Sequence, residues 1–326
     1  MQKSYLGIDI SKATFNVCLS YLEDKWAGEF PNTQSGFKQL CKWLKKRVKV
    51  EMHCCMEATG RYYEDLALYL HQQGFEVSVV NPKIIHHYAQ VRMNRNKTDK
   101  LDADLINRYV EKESPRLWEP PLEEVIILRA LTRHLSALQE SKTAESNRLQ
   151  AGTHPPQVKA SIEVMIATLT EQIEKIKQEI QDHIDHHPNL KEDQELIASI
   201  TGIAELSASK ILSEIPNIQN FDSAKQLAAY AGLTPQQLQS GPILKQKGIL
   251  KMGSKHLRTA FYMPALSAKQ HNKLVVPLVQ RLEKDGKHNM TIIAAVMRKL
   301  LHQVFGILKH RQSFDPNYLV NLQNTA

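Results

Sequence analysis

Short apolar and alternating runs dominate the first third of the chain. Four of them, YLGIDIS, TFNVCLS, EMHCCME and FEVSVV, have the length and pattern of β-strands. Two further segments, GFKQLCKWLKKRV and YYEDLALYLHQQ, repeat apolar residues at helical spacing, and Gly74 follows the second. Strands followed by strand–helix alternation predict an α/β sheet covered by helices.

Long helical stripes dominate the middle of the chain. The first stripe is a heptad seam of leucines at Leu128, Leu131, Leu135 and Leu138. After the breaker AGTHPP (151–156), a second stripe runs from Val158 to Ile184, with a spacing nearer to an eleven-residue repeat. These stripes predict two long helices in an antiparallel hairpin. Because one hairpin leaves much of each stripe exposed, we expect it to pair with a second copy. The alternative is packing against the flanking segments of its own chain.

The last third is mostly helical by pattern. Its first stretch, LIASITGIAELSASKILSEI, resembles half of a helix-hairpin-helix, a module that binds backbone phosphate through hairpin amides and a helix N-terminus. The second glycine expected of that module is Ala204 here. An ordinary pair of core helices is an equally good interpretation.

Charge divides the chain into the same three segments. Residues 1–115 carry 17 Lys and Arg against 14 Asp and Glu, residues 116–194 carry 9 against 13, and residues 195–326 carry 16 against 7. The 326-residue length suggests two or three domains. A net charge of +8 favours an acidic partner such as nucleic acid, and the strongest basic excess lies within 240–311.

Other features exclude several classes of protein. The N-terminus lacks the apolar run of a secretory signal, and no stretch reaches the ~18 consecutive apolar residues of a membrane span. The four cysteines, which lack the spacing of a zinc site, are expected to be buried thiols: Cys18, Cys41, Cys54 and Cys55. We therefore expect a cytoplasmic, nucleoid-associated bacterial protein without a membrane partner.

Three aspartates crowd the stretch NRNKTDKLDADLI (94–106). Asp99 and Asp102 stand at i and i+3 and share one face of a helix. Asp104 lies on a different face and is interpreted as a solvent or capping acid. A helix start is the simple alternative for the group. Thr98 is a good N-cap, and aspartate suits the first turn of a helix.

Two acids upstream stand in unusual places. Asp9 lies between Ile8 and Ile10 in a predicted strand, where β-propensity disfavours aspartate, and Glu57 closes a strand. Asp9 capping a turn and Glu57 pairing with Arg61 are the alternatives. If the fold brings both to Asp99 and Asp102, each pair at 4 Å repels by roughly 4 kcal/mol in a protein-like dielectric. Mg²⁺ or Mn²⁺ cancels this repulsion, and two ions about 4 Å apart suit phosphodiester chemistry.

The motifs GIDIS, MEATG and NKTDKLDA, in this order, resemble the acidic tetrad of the DEDD transposases. These insertion-sequence recombinases are related to the Piv-type DNA invertases. Downstream, AYAGLTPQQLQSG (229–241) and KGILKMGSKHLRTAFYMPALSA (247–268) resemble their second transposase domain. The resemblance implies a RuvC-like (RNase H-type) domain at 1–115, a helical coiled-coil hairpin at 116–194 and a mostly α C-terminal transposase domain at 195–326.

The resemblance also implies a mechanism. Asp9, Glu57, Asp99 and Asp102 are its metal ligands, with two Mg²⁺ (or Mn²⁺) ions, and Ser240 is its nucleophile, which forms a phosphoserine with DNA. Turn chemistry in a Gly/Pro loop is the alternative for Ser240. Basic residues near these motifs are predicted to contact nucleic acid: Arg95, Lys97, Lys100, Lys245, Lys247, Lys251, Lys255 and Arg258.

The implied partners are donor and target DNA and a structured noncoding guide (bridge) RNA that supplies sequence choice. A homodimer through residues 120–190 and a tetramer in the synaptic complex are also expected. Three rivals remain. A RuvC-like endonuclease using water shares the tetrad, a sugar-kinase-like ATPase shares GIDIS, and a non-enzymatic nucleic-acid scaffold requires no acids.

Overall fold

The computed structural model describes residues 3–58, 60–91, 99–240, 243–249 and 252–318. For residues 99–101 and 236–247 it describes only the backbone. The chain forms two compact units, Met1–Pro120 and Pro121–Ala326.

The first unit is a mixed α/β sheet domain, as the sequence predicts. Its sheet has five strands in the order β3-β2-β1-β4-β5, with β1 antiparallel to β2 and parallel to β4. The strand β3, with the sequence DKWAGEFP, has no counterpart among the predicted strands. The elements are β1 (Ser4–Ile10), β2 (Thr14–Tyr21), β3 (Asp24–Pro31), α1 (Gln34–Lys45), β4 (Met52–Glu57), α2 (Glu64–Gln72), β5 (Glu76–Val80), α3 (Pro82–Val91) and α4 (Asp99–Glu113).

Helices cover both faces of this sheet. On one face, residues such as Leu6 and Ile8 of β1 pack with Phe37 of α1 and Leu66 of α2 in a large apolar core. On the other face, Cys55 of β4 packs in a smaller core with side chains from α3 and α4. All four cysteines are buried free thiols, which confirms that prediction.

The second unit is mostly helical. Its predicted hairpin helices are present as α5 and α6, and a two-stranded antiparallel sheet lies among the later helices. The elements are α5 (Glu123–Gln150), α6 (Pro156–Asp185), α7 (Pro188–Ala198), α8 (Glu205–Glu214), α9 (Ala224–Tyr230), β6 (Pro235–Ser240), β7 (Ile243–Ile249), α10 (Lys255–Ala260), α11 (Tyr262–His271), α12 (Val276–Lys284) and α13 (Asn289–His310).

Part of the hairpin packs against its own chain. Leu128, Leu135 and Ile180 are buried in one core with residues of α8 and α13. Nearer the hairpin tip, Val164 and Met165 of α6 remain 65% and 45% exposed. The alternative of packing within the chain therefore holds for the base of the hairpin, and an apolar surface remains towards its tip.

The helix-hairpin-helix-like segment is packed against α11. Gly202 has a φ of +105°, and a Cβ atom built on it would lie 2.8 Å from the Cβ of Ala268. The Nδ2 atom of Asn272 donates a hydrogen bond of 3.0 Å to the carbonyl of Thr201. This packing favours the interpretation of α7 and α8 as ordinary core helices.

The helix α13 is the most apolar element of the second unit. An 18-residue window of this 22-residue helix has a mean hydropathy of 1.4, so the helix is long and apolar enough to span a membrane by length and composition, which the sequence analysis did not anticipate. Half of that window is buried inside the protein. Leu300, Leu301 and Val304 belong to the main core of the unit. A buried core helix accounts for this hydropathy.

Candidate active site

The strand register brings Asp9 and Glu57 to neighbouring positions. In the parallel ladder of β1 and β4, Gly7 pairs with Cys55 and Ile8 with Met56, so the next step along both strands aligns Asp9 with Glu57. Adjacent strands lie about 4.8 Å apart. Both residues are partly buried at the ends of their strands. The predicted meeting of these two carboxyl-bearing positions at one sheet edge is therefore present in the backbone.

Helix α4 covers the face of the sheet to which these residues belong. A Cβ atom built at Gly7 would lie 2.2 Å from the backbone N of Asn107 and 2.3 Å from the carbonyl O of Ala103. Gly7 and Asp9 are two residues apart on β1 and share this face. The glycine therefore allows the backbone of α4 to contact β1 directly.

A buried amide attaches α4 to the sheet. Asn107 is fully buried, and its Nδ2 atom donates hydrogen bonds of 2.7 Å to the carbonyl of Tyr5 and 3.0 Å to the carbonyl of Cys18. These carbonyls belong to β1 and β2. One side chain of α4 thus fixes the position of the helix along two adjacent strands.

An ion-pair cluster attaches α4 at its flank. Asp104 accepts a hydrogen bond of 2.8 Å from Lys25 of β3 and pairs with Arg108 at 2.7 Å. Burial alone raises the pKa of Asp104, but the hydrogen bond and charge of Lys25, together with Arg108, outweigh burial and lower it. The interpretation of Asp104 as a solvent or capping acid is wrong, because a lysine distant in sequence reaches it across the sheet.

The N-terminal end of α4 approaches the strand ends that carry the acids. Along α4, Asn107 contacts Tyr5 and Ala103 lies over Gly7, so the helix runs antiparallel to β1. One turn before Ala103, about 6 Å away, α4 begins at Asp99. Two residues beyond Gly7, about 6.6 Å away, stands Asp9. The backbone therefore brings the start of α4 towards Asp9.

The side chains of the tetrad are described only in part. Asp9, Glu57 and Asp102 are each partly buried, whereas the side chain of Asp99 lies outside the described residues. Within the described side chains, no three His, Cys, Asp or Glu residues are arranged to hold a metal ion by themselves. The four-carboxylate site stays a prediction that the backbone geometry supports.

The neighbours of these acids bear on the alternatives. The turn after β1 is closed by Ser11, whose Oγ atom donates to the carbonyl of Thr14 at 2.7 Å and accepts from its amide at 3.2 Å. Arg61 pairs with Glu64 at 3.7 Å. Ser11 thus closes the turn after β1, and Arg61 has a partner in Glu64, whereas Asp9 and Glu57 each make interactions of their own. The alternatives for the two acids stay open.

The charge of Glu57 acts on the thiol beside it. Burial, and then the nearby Glu57 carboxylate, raise the pKa of Cys55 to about 12. Cys55 therefore stays a neutral thiol at neutral pH. Cys55 packs under α4, in the apolar core next to the sheet edge that carries Asp9 and Glu57. This edge is called the acidic edge below.

Two family models match most of the chain, and a curated relative matches nearly all of it. A model described as a transposase (DEDD_Tnp_IS110) matches residues 6–152, and one described as Transposase IS116/IS110/IS902 family matches residues 194–279. The pilin gene-inverting protein of Moraxella bovis is 36% identical over 97% of this chain and 98% of its own length. This chain belongs to the IS110 family of transposases.

More distant members of the IS110 family are also similar. The transposase for insertion sequence element IS1111A of Coxiella burnetii is 23% identical over 94% of this chain and 87% of its own length. That for IS1328 of Yersinia enterocolitica is 24% identical over 78% and 80%, respectively. Family membership makes this chain a DNA transposase or recombinase, and its substrate is DNA.

The predicted nucleophile of this transposase lies at a hairpin. Ser240 is the last residue of β6 and is the register partner of Ile243, the first residue of β7. The sequence interpretation of Ser240 as a loop residue is therefore corrected to the last residue of a strand. Its side chain lies outside the described residues, so its role is not tested.

The predicted nucleic-acid contacts fall into three groups. Arg95, Lys97 and Lys251 lie outside the described residues, and Lys100, Lys245 and Lys247 are described by backbone alone. Lys255 is exposed at the start of α10. Arg258 is partly buried and donates a hydrogen bond of 3.1 Å to the carbonyl of Ala231, which gives it a structural role.

A groove lies beside Lys255 in the second unit. It has a volume of about 590 Å³ and is lined by α5, α8 and α10, including Lys210, His256 and Asn147. Lys210 donates to Gln139 at 3.0 Å, and its pKa is lowered by burial and by the charge of Lys177. Sequence patterning did not single out Lys210, because it lies on an ordinary amphipathic helix.

Sequence reasoning also missed three polar or small residues around the acidic edge. Gly7 and Asn107 form the contact that holds α4, and Asn16 of β2 is the register partner of Asp9. Asn16 could have been found from the sequence, because an asparagine within an apolar strand is as unusual as an aspartate at position 9. Asn107 carried none, because its contacts are 102 and 89 residues away.

Proposed function

We propose that this IS110-family transposase cuts and rejoins DNA with two groups, the acidic edge of the first unit and Ser240 of the second. The observation that carries the proposal is the alignment of Asp9 with Glu57 beneath the approaching start of α4. The mixed sheet, with an antiparallel β1–β3 sheet followed by parallel β4 and β5, supports a RuvC-like fold for this unit.

The donor set of the acidic edge suits a hard divalent cation. Carboxylate oxygens are the ligands that Mg²⁺ and Mn²⁺ take in preference to nitrogen or sulfur. When bound, two such ions stabilise the attacking and the leaving oxygen of a phosphodiester. In this proposal Asp9, Glu57, Asp99 and Asp102 hold them, and Lys97 and Lys100 attract the DNA backbone.

Ser240 is the nucleophile of the proposed reaction. Its Oγ atom bonds to the scissile phosphorus while the bond from phosphorus to the 3′ oxygen breaks, so the 5′ end becomes a phosphoserine and the other end a free 3′-hydroxyl. The hydroxyl proton of Ser240 passes to a base at the acidic edge, and the leaving 3′ oxygen takes up a proton. A 3′-hydroxyl from another strand then reverses the step, which conserves the phosphoester bond.

The partners of the reaction follow from charge and exposed surface. The basic excess of 195–326, the groove that contains Lys210 and the exposed Lys255 suit a nucleic-acid backbone. We assign the choice of sites to a noncoding guide RNA, as the family resemblance implies. The exposed residues near the hairpin tip, Val164 and Met165, support a homodimer through 120–190. A tetramer in the synaptic complex is proposed from the family resemblance alone.

A trapped protein–DNA adduct tests the nucleophile. On a nicked suicide substrate with Mg²⁺ and co-purified RNA, the wild-type protein is expected to form an adduct that survives denaturation, and Ser240→Ala is expected to form none. Ser267→Ala, at an exposed position of α11, is the matched control and should form the adduct normally. Cleavage by Ser240→Ala at the wild-type rate, with free DNA ends, would instead support the endonuclease that uses water.

Sequencing of the nucleic acid that co-purifies with the protein tests the guide. One structured RNA encoded next to the gene is expected. Recombination that proceeds fully after ribonuclease treatment of the complex contradicts guidance by RNA and leaves the chemistry at Ser240 unaffected.

A further inference from the structure

Asn16 stands beside the acidic edge on the strand opposite to Glu57. In the antiparallel ladder of β1 and β2, Asp9 and Asn16 are register partners. Directly opposed residues in such a ladder share a face and have Cβ atoms about 5 Å apart. Asn16, Asp9 and Glu57 therefore form a row across three adjacent strands.

Asn16 is largely buried, but its amide stays in contact with solvent. The residue is 9% exposed, and its amide atoms are not among the fully buried, unpartnered side-chain atoms of the described residues. It lies two positions from Cys18, whose thiol donates to Asp104 of α4. An amide that solvent reaches beside Asp9 is also open to a ligand.

An amide oxygen at this position has a definite chemical use. Amide oxygens are hard ligands that Mg²⁺ and Mn²⁺ accept beside carboxylates. A fifth carboxylate in the row would increase the mutual repulsion of the acids, whereas a neutral oxygen adds a ligand without adding charge. The sequence has an amide, which is the neutral choice, at the position next to Asp9.

We propose that Asn16 is a further metal ligand of this site, and that its Oδ1 atom binds the same divalent cation as Asp9. The inference rests on the proposed acidic metal site and extends it by one residue and one strand. Asn16 on β2 and Glu57 on β4 would then hold the cation together with Asp9 of the strand between them.

Binding of Mn²⁺ to the full-length protein, measured by electron paramagnetic resonance of the free ion, tests the proposal. Asn16→Leu keeps the side-chain volume and removes the oxygen, and it is expected to weaken Mn²⁺ binding tenfold to a hundredfold. Ser20→Ala is the matched control, because Ser20 is also a buried polar residue on the same face of β2, four residues away. Its Mn²⁺ affinity should stay within twofold of the wild type. Wild-type affinity in folded Asn16→Leu overturns the proposal.

Two more variants make every outcome decisive. Asn16→Asp retains an oxygen ligand and should bind Mn²⁺ at least as tightly as the wild type. If Asn16→Leu does not fold, a tenfold loss of affinity in Asn16→Asp overturns the proposal. Asp9→Asn separates the two hypotheses: loss of binding in Asp9→Asn alone rejects only the role of Asn16, whereas wild-type binding in Asp9→Asn rejects the metal site itself.

Discussion

At the scale of single residues, Asp9 is unusual because aspartate at this strand position does not stabilise the fold. It is an aspartate within a β-strand, flanked by buried Ile8 and Ile10 and aligned with a second acid. Aspartate has a low β-propensity, and two carboxylates at neighbouring strand positions repel each other. The proposed metal site accounts for both features.

The substitution Asp9→Asn is therefore expected to separate stability from activity. Without metal, its melting temperature should equal or exceed that of the wild type, because one repulsive charge is gone. The increase in melting temperature that Mg²⁺ gives the wild type should disappear, since a ligand stabilises only the state that binds it. Strand cleavage should fall by at least about a thousandfold, as expected when a metal ligand at the reacting phosphate is lost. A wild-type Mg²⁺ shift in calorimetry contradicts this prediction.

Asp104 is an acid of the opposite kind, because it stabilises the fold. Its pKa is lowered in the folded protein through Lys25 and Arg108, against the effect of burial. A carboxylate whose pKa is lower in the folded than in the unfolded protein stabilises the fold at pH values above its unfolded pKa, which is about 4. This stabilisation is lost as the pH falls through the pKa of the folded state.

Replacing Lys25 by Met should reveal this contribution. We expect a loss of roughly 0.5–1 kcal/mol in the free energy of unfolding at pH 7, a modest value because Lys25 is partly exposed. The difference from the wild type should shrink as the pH falls below the unfolded pKa of Asp104 and through its lowered folded pKa. Urea unfolding at pH 7 and at a series of acidic pH values measures it, and a difference that does not change with pH excludes the ion pair as the cause.

The sequence singled out individual residues where the residue type conflicts with the propensity of the predicted element. Asp9 and Glu57 were detectable because acids at those strand positions conflict with propensity. The role of Asp104 was not detectable, because its partner Lys25 is 79 residues away. Local patterns carry no information about which distant side chain completes a pair.

At the scale of elements, the decisive feature is the close contact between α4 and β1. The close packing of α4 on β1 requires glycine at position 7, which has no side chain, and is held by the two hydrogen bonds of Asn107. These contacts fix how far the start of α4 reaches along the sheet, and hence where Asp99 and Asp102 stand.

Gly7→Ala should therefore impair both the fold and the site. A Cβ atom 2.2 Å from the N atom of Asn107 must displace backbone, so we expect a loss of about 2–3 kcal/mol in the free energy of unfolding. Displacement of α4 should also weaken Mg²⁺ binding. Gly152→Ala is the control, with nothing within 4 Å of the added atom, and should change stability by less than about 0.5 kcal/mol. Wild-type stability and Mg²⁺ affinity in Gly7→Ala are incompatible with this account of α4.

Element prediction succeeded for strongly periodic segments. The strands with apolar or alternating runs and the helices α1, α2, α5 and α6 all occur where their patterns indicate. The strand β3 was missed, because it is an edge strand whose exposed positions carry charge and whose interior holds Gly28. Its pairing with β2 supplies the regularity that its own sequence lacks.

At the scale of the whole molecule, the proposed reaction uses groups from both compact units. The acidic edge belongs to Met1–Pro120 and Ser240 to Pro121–Ala326. A dimer formed through the hairpin allows one protomer to supply the acids and its partner the serine. Sequence and family resemblance predict the order of these parts along the chain, and the proposed reaction requires them to meet.

Mixing two inactive proteins tests this sharing. Asp9→Ala and Ser240→Ala should each fail to recombine DNA alone. Co-expressed, they should form mixed dimers in which one complete site remains, and recombination should return to about a quarter to a half of the wild-type level, as expected from random pairing of protomers. If mixed dimers are isolated by two different affinity tags and remain inactive, the acids and the serine act within one protomer.

The most direct measurement of the central claim is anomalous diffraction from crystals of the protein grown with Mn²⁺. The account predicts a peak at the sheet edge, with the carboxylate oxygens of Asp9, Glu57, Asp99 and Asp102 about 2.0–2.3 Å from the ions. A map without a peak at that edge, at millimolar Mn²⁺ and with the four carboxylates directed apart, contradicts it.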